Sequence, residues 1–175
     1  MWNWIVFSFL TLFLIYISRA SLRAPRSHGF YRFFAFESIL LLVLLNLERW
    51  FNDPFSLPQL VSWPLLTLSF LLVIHGVHLL RVIGQPRGGI EQTTRLVTVG
   101  AYRYIRHPLY ASLLALAWGA FLKDVTSLIG LALVMAASIS LYATAKVEEG
   151  ENLRKFGEEY AAYMKRTKMF APFAL

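Results

Sequence analysis

The sequence predicts an all-α, polytopic membrane protein with about five transmembrane helices and a C-terminal amphipathic cytoplasmic helix. Three observations predict it. Of 175 residues, 57% are hydrophobic and only 15% charged, where a soluble domain would be about half apolar and a quarter charged. The apolar residues are gathered into blocks at 2–18, 33–47, 60–80, 108–122 and 125–145, each nearly without charge, and a bilayer span takes about 20 residues. The basic residues segregate to one face of the arrangement those blocks imply.

Taken in order, the first block carries its arginines, Arg19 and Arg23, after the apolar run. A secretory signal has its basic residues before that run, so a retained span with its start outside is expected. The blocks at 33–47 and 108–122 are short, and their ends are expected to extend into the flanking loops. Only Lys123-Asp124 separates the fourth block from the fifth, which reads as a tight helical hairpin. With the N-terminus outside and the C-terminus cytoplasmic, only Arg49 and Lys123 of the 17 basic residues fall on the outer face. That is the distribution cytoplasmic loops favour. The net charge of +7 is then explained by topology and anionic headgroups, and no nucleic-acid partner is expected. With no cysteine there is no disulfide, thiolate nucleophile or thiolate metal site. A single domain, 1–175, is expected.

Between the third and fourth blocks, Gly84-Gln-Pro-Arg-Gly-Gly reads as a loop, and Arg95-Leu-Val-Thr-Val-Gly as an extended run. Gly100 permits a turn into a polar stretch, Tyr102-Arg-Tyr-Ile-Arg-His107, lodged between two apolar blocks. Pro108 suits the first position of a helix, which puts His107 at the N-cap and unpaired backbone N–H groups at the mouth of the fourth span. Those amides attract an anion, and the Arg106 guanidinium can hold a carboxylate or phosphate with two hydrogen bonds. The competing reading makes Arg103 and Arg106 lipid-phosphate anchors among interfacial tyrosines.

Glu148-Glu149 follows the fifth span on the same face. Adjacent carboxylates point to different sides of a helix, so one can face inward; the alternative is a solvated acidic pair. Beyond them Leu153, Phe156, Tyr160, Tyr163 and Met164 recur at helical spacing, the pattern of an amphipathic helix. His75 and His78 share one face of the third span, suited to packing, internal hydrogen bonding or cofactor contact. No third ligand of suitable type accompanies them, and no metal site is expected. Glu37, inside the second span, is expected to pair with a cytoplasmic arginine such as Arg32 or to reach the interface, a substrate role being the alternative.

Three elements together resemble a known family: Leu96-Val97-Thr98-x-Gly100-x-Tyr102, then Arg106-His107-Pro108-x-Tyr110, then Glu148-Glu149-x3-Leu153-x2-Phe156-Gly157-x-Glu159-Tyr160-x2-Tyr163. They are similar to the isoprenylcysteine carboxyl methyltransferase and phospholipid methyltransferase superfamily over roughly residues 84–170. The resemblance implies an integral membrane enzyme using S-adenosylmethionine, with residues 84–170 as its cofactor-binding half. It implies cofactor contacts from Thr94, Arg95, Leu96 and Val97, from Tyr102, from His107, Pro108, Leu109 and Tyr110, and from Glu148. Arg106 and Glu149 are the expected catalytic residues; Glu149 or His107 would accept the proton of an amine acceptor.

Two departures concern the acceptor. Thr94 and Thr144 stand where the carboxyl methyltransferase branch usually has a histidine and a substrate-binding arginine. The expected partners are therefore the bilayer and a hydrophobic or lipid-linked acceptor offering a carboxylate, amine or thiol. The alternative functions are a membrane reductase using a nicotinamide cofactor, since sterol reductases have a similar C-terminal half, and a non-enzymatic membrane interaction subunit.

Overall fold

The computed structural model describes residues 2–90 and 92–172. Six α-helices follow in order: α1 Trp2–Leu22, α2 His28–Leu45, α3 Leu57–Val82, α4 Pro108–Phe121, α5 Leu128–Phe156 and α6 Glu158–Arg166. Among the described residues there is no strand, only a lone bridge between Ile105 and Lys168. By length and composition α1, α2, α3 and α5 can each cross a membrane, and α4 is shorter and apolar. The short second block does extend, reaching back to His28. The fourth does not: its 14 residues rise roughly 21 Å, against an apolar core of about 30 Å. Pro108 fixes its start, and the polar turn at Lys123 fixes its end.

The chain folds into two compact units, Met1–Thr67 with Leu114–Glu148, and Leu68–Leu113 with Glu149–Leu175. In the first unit α1 and α2 form an antiparallel hairpin, because a short turn and one cap force the chain back. Ser27 is the N-cap of α2, its hydroxyl accepting from Phe30 N. At Gly29 a Cβ would lie 2.3 Å from the Ser21 hydroxyl, so only glycine lets the helices meet there. Higher up, Thr11 Oγ1 donates to Glu37 Oε2 at 2.8 Å, and Asn3 Nδ2 donates to Leu44 O at 3.3 Å. Glu37 thus takes a partner for Oε2 from a hydroxyl of the neighbouring span, while its Oε1 is buried without a hydrogen-bond partner among the described residues, and Arg32 lies over the Phe36 ring. No residue of α1 is buried, as suits a helix whose solvent is lipid.

A short turn around Lys123-Asp124 separates α4 from α5, and a polar network holds the end of α4 there. Lys123 is buried and donates to Gln59 Oε1 at 2.7 Å, with its ammonium 3.8 Å from the centre of the Trp63 ring. Asn46 donates to Ala120 O and Ser62 to Gly119 O, satisfying carbonyls at the end of α4 that have no partner within the helix. A Cβ on Gly119 would strike Leu66 at 2.9 Å, so the two helices approach at glycine. Asp124 accepts from the Thr126 hydroxyl and amide, which holds its carboxyl below the usual carboxylate range. Ser127 then accepts from Gly130 N at the start of α5.

In the second unit α6 departs from expectation. The amphipathic run after Glu149 is not one helix. α5 continues through Glu149 to Phe156, Gly157 takes φ +57, and α6 starts in a new direction. That φ belongs to the left-handed region, open to glycine without strain.

Lys123→Met should lower stability by about 1–3 kcal/mol, because Gln59 Oε1 loses its donor in a buried site. Arg49→Ala should change it by less than about 0.5 kcal/mol, since Arg49 meets Asp124 from a mostly exposed position. Thermal unfolding in detergent compares the two; equal losses would show that the Lys123 network is not what holds this turn.

Candidate active site

The motif residues of the second unit are gathered by contacts between chain segments far apart in sequence. After α3, Gly84 O accepts from both Thr94 N and Arg95 N, and Thr94 Oγ1 donates to Gln85 O at 3.0 Å. A Cβ on Gly84 would lie 2.5 Å from Leu80 O and 2.7 Å from Thr93, so the loop closes on α3 only with glycine there. Lys155, on the last turn of α5, donates its ammonium to Thr93 O. These bonds hold Thr94 to Val97 in place, with Val97 buried and Thr94 and Arg95 exposed.

Gly100 opens a 3-10 turn, Gly100–Arg103, at φ +59. A Cβ there would lie 2.4 Å from His75 Nε2. The same histidine nitrogen accepts from Ala101 N at 3.3 Å, so the side chain of α3 caps the turn. One residue on, Gly76 leaves room for Leu109 and for the Tyr102 ring, whose hydroxyl would be 3.7 Å from an added Cβ. Of the roles open to His75, internal hydrogen bonding is the one its geometry displays.

Arg106, His107 and Glu149 form the centre. Glu149 is 3% exposed, and its Oε1 accepts from Arg106 Nε at 2.6 Å. The same guanidinium donates through Nη1 to Met164 O at 3.3 Å and to Thr167 O. It therefore does two things at once, neutralising a buried carboxylate and satisfying carbonyls at the C-terminal end of α6, where a cation is favoured. The sequence reading expected Arg106 to face a ligand anion; the structure gives its Nε and Nη1 protein partners. The tail supports this. Arg106 N donates to Lys168 O, His107 N to Met169 O, and Lys168 N to Tyr104 O.

Pro108 is the first residue of α4, and His107 O accepts from Ala111 N at 2.9 Å, as an N-cap carbonyl does. The His107 ring stacks on Tyr110, centroids 5.4 Å apart and 18° between planes. Its Nε2 lies 3.7 Å from Glu149 Oε1, beyond hydrogen-bond range, and is buried with no hydrogen-bond partner among the described residues. Tyr102 and Tyr110 are both buried. The Tyr163 hydroxyl donates to Tyr102 O at 2.6 Å. Burial pushes its pKa up, so it stays a donor well above neutral pH. Glu148 is the last residue of the first unit, half-buried on α5.

Sequence reasoning missed Tyr163, Lys155 and the carbonyls of Met164 and Thr167 as partners. Tyr163 and Lys155 look like an amphipathic stripe and a surface charge, and no local signal ties them to residues 61 and 62 positions away.

Because removal of one partner strands a buried charge, Arg106→Ala should destabilise by about 3–5 kcal/mol. Adding Glu149→Gln to that variant should recover part of the loss. A double-mutant cycle measured by unfolding in detergent checks this; strictly additive effects would mean that the two side chains do not interact.

The family model described as phospholipid methyltransferase matches residues 58–159, more than half of the chain. The chain is 27% identical to methanethiol S-methyltransferase 1 of Bradyrhizobium diazoefficiens, over 85% of its own length and 55% of that relative. It thus spans about half the length of the curated relative it matches. No solved structure matches.

Proposed function

This chain belongs to the phospholipid methyltransferase family, and from that premise we propose that it is a membrane methyltransferase that uses S-adenosylmethionine and acts on a hydrophobic acceptor. The observation that carries the reading is His107 Nε2. It is a buried nitrogen with no hydrogen-bond partner among the described residues, at the start of α4, between the Tyr110 ring and Glu149. A buried polar atom without a partner is uncommon and marks a place where a ligand or a proton belongs.

The residues present fit the cofactor. Thr94 to Val97, Tyr102 and His107 to Tyr110 all belong to the second unit. The buried tyrosines offer π-faces to an adenine or a sulfonium, and the first amides of α4 suit a carboxylate. The resemblance assigns the ammonium to Glu148. Arg106 acts as a positioning residue, since the groups it touches are Glu149 and the end of α6.

When bound, such a cofactor supplies an electrophilic methyl group on sulfonium. The side chains of this protein do the rest. The α4 N-terminus and the tyrosines orient the reactants, which accounts for most of the rate in a displacement without a covalent enzyme intermediate. His107 Nε2 accepts the proton released as the acceptor's heteroatom bonds to the methyl carbon. Glu149, held by Arg106, stabilises the imidazolium that results.

The acceptor that suits this chain is neutral and apolar, a thiol or an amine. Thr144, standing where the carboxyl methyltransferase branch has arginine, is fully buried and donates to Ser140 O. It offers no cation to a carboxylate. The relative's name specifies a thiol acceptor, which favours the thiol.

With labelled S-adenosylmethionine, the purified protein should label a small alkanethiol or a component of a lipid extract. His107→Asn should lower kcat by about 10²-fold or more while S-adenosylhomocysteine still stabilises the protein. Stabilisation by a nicotinamide nucleotide instead would favour the reductase reading, and by neither nucleotide the interaction subunit.

The proposed membrane has the N-terminus outside, on the strength of the basic-residue division. The chain lacks cysteine, so single cysteines report sidedness directly. Val125→Cys, at an exposed position, should react with an impermeant maleimide on intact cells. Arg154→Cys should react only after permeabilisation, and the opposite pattern would invert the topology.

A further inference from the structure

A polar cavity lies in the same unit, beside the segment that carries Val97 and Tyr102 but lined by none of the residues assigned to the cofactor. It has a volume of about 520 Å³ and is lined by Thr98, Val99, Arg103, Tyr163, Arg166 and Thr167. That size falls within the range of small-molecule sites, roughly 300–1,000 Å³. Two guanidiniums and three hydroxyl-bearing side chains line it, and no carboxylate does.

The charge in this cavity is not spent internally. Arg103 and Arg166 are exposed and form no ion pair with another described residue. The carbonyl end of α6, which would otherwise repel an anion, is covered by Arg106 through Met164 O and Thr167 O. Tyr163 forms a fixed wall, because its hydroxyl donates to Tyr102 O. Thr167 Oγ1 donates to Tyr163 O, which locks that side as well. The Thr98 hydroxyl has no hydrogen bond to a described residue. Two arginines and a hydroxyl around a rigid polar floor suit an anion with several acceptor oxygens.

We propose that this cavity binds a phosphate group, with Arg103 and Arg166 as its clamps and Thr98 as a hydroxyl donor. A phosphodiester of a membrane lipid headgroup and free phosphate share that chemistry. A headgroup would anchor the unit to the bilayer surface at a defined site, beside the segment that runs from Val97 into the 3-10 turn.

The test uses the full-length protein in a neutral maltoside detergent. Thermal unfolding is followed against dihexanoyl phosphatidylglycerol and, separately, inorganic phosphate. The lipid should stabilise the protein saturably. Arg103→Gln with Arg166→Gln should weaken that response about tenfold or more, the scale of a lost charge-assisted contact. Arg103→Lys with Arg166→Lys should largely retain it, which shows that the loss is one of charge and not of folding. Saturation by the lipid alone assigns the cavity to a headgroup, and saturation by phosphate as well assigns it to the phosphate group itself. Absence of saturable stabilisation by either would overturn the proposal. So would an equal loss in a control pair, Arg19→Gln with Arg23→Gln, remote in sequence from the cavity.

Discussion

A guanidinium and a carboxylate 2.6 Å apart, both nearly sealed from solvent, set the geometry of the second unit. Each charge would be strongly disfavoured alone in such a place, and together they are tolerable only with further hydrogen bonds. The guanidinium finds these in the carbonyls of Met164 and Thr167. One side chain thereby joins the end of α5, the end of α6 and the turn before α4. The backbone repeats the connection, residues 168 and 169 pairing with residues 104 to 107. Where Arg106 sits therefore decides where His107 points, since the two are neighbours and the second opens α4.

The pair also changes what a familiar motif means. An arginine beside the N-terminus of a helix invites the reading of a ligand clamp, and in isolation that is sound electrostatics. Here the nearest carboxylate is Glu149, and it is buried. Burial makes the internal partner worth more than a solvated one, because the alternative is an unpaired charge in a poor solvent. One residue along, the His107 Nε2 is buried without a hydrogen-bond partner among the described residues. Glycines do the complementary work. Gly76, Gly84 and Gly100 each clear a space that a methyl group would fill, and Leu109, the loop after α3 and His75 use those spaces.

The first unit solves a different problem with similar means. Its helices are solvated by lipid, and polar groups within it find partners between helices: Thr11 with Glu37 Oε2, Ser62 with Gly119 O, Asn46 with Ala120 O. Lys123 is the extreme case, a buried ammonium held by one amide oxygen and an indole face. Helix ends are where such partners are most needed, since their carbonyls have none within the helix.

The sequence by itself determined the apolar helices, the loop after α3, the start of α4 at Pro108 and the family resemblance carried by residues 84–170. These follow from local quantities: transfer free energy over about 20 residues, the missing amide of proline, and the spacing of a motif. Only the tertiary structure decided that α4 stays at 14 residues and that the chain turns at Gly157 rather than extending one amphipathic helix. It also decided the partners of Arg106, Lys155 and Tyr163. An arginine has the same propensity whether its carboxylate is a ligand's or its own chain's. The choice rests on which groups folding brings within 3 Å in the absence of water, and Glu149 is 43 residues away in sequence. Nothing in the periodicity of either segment records that meeting.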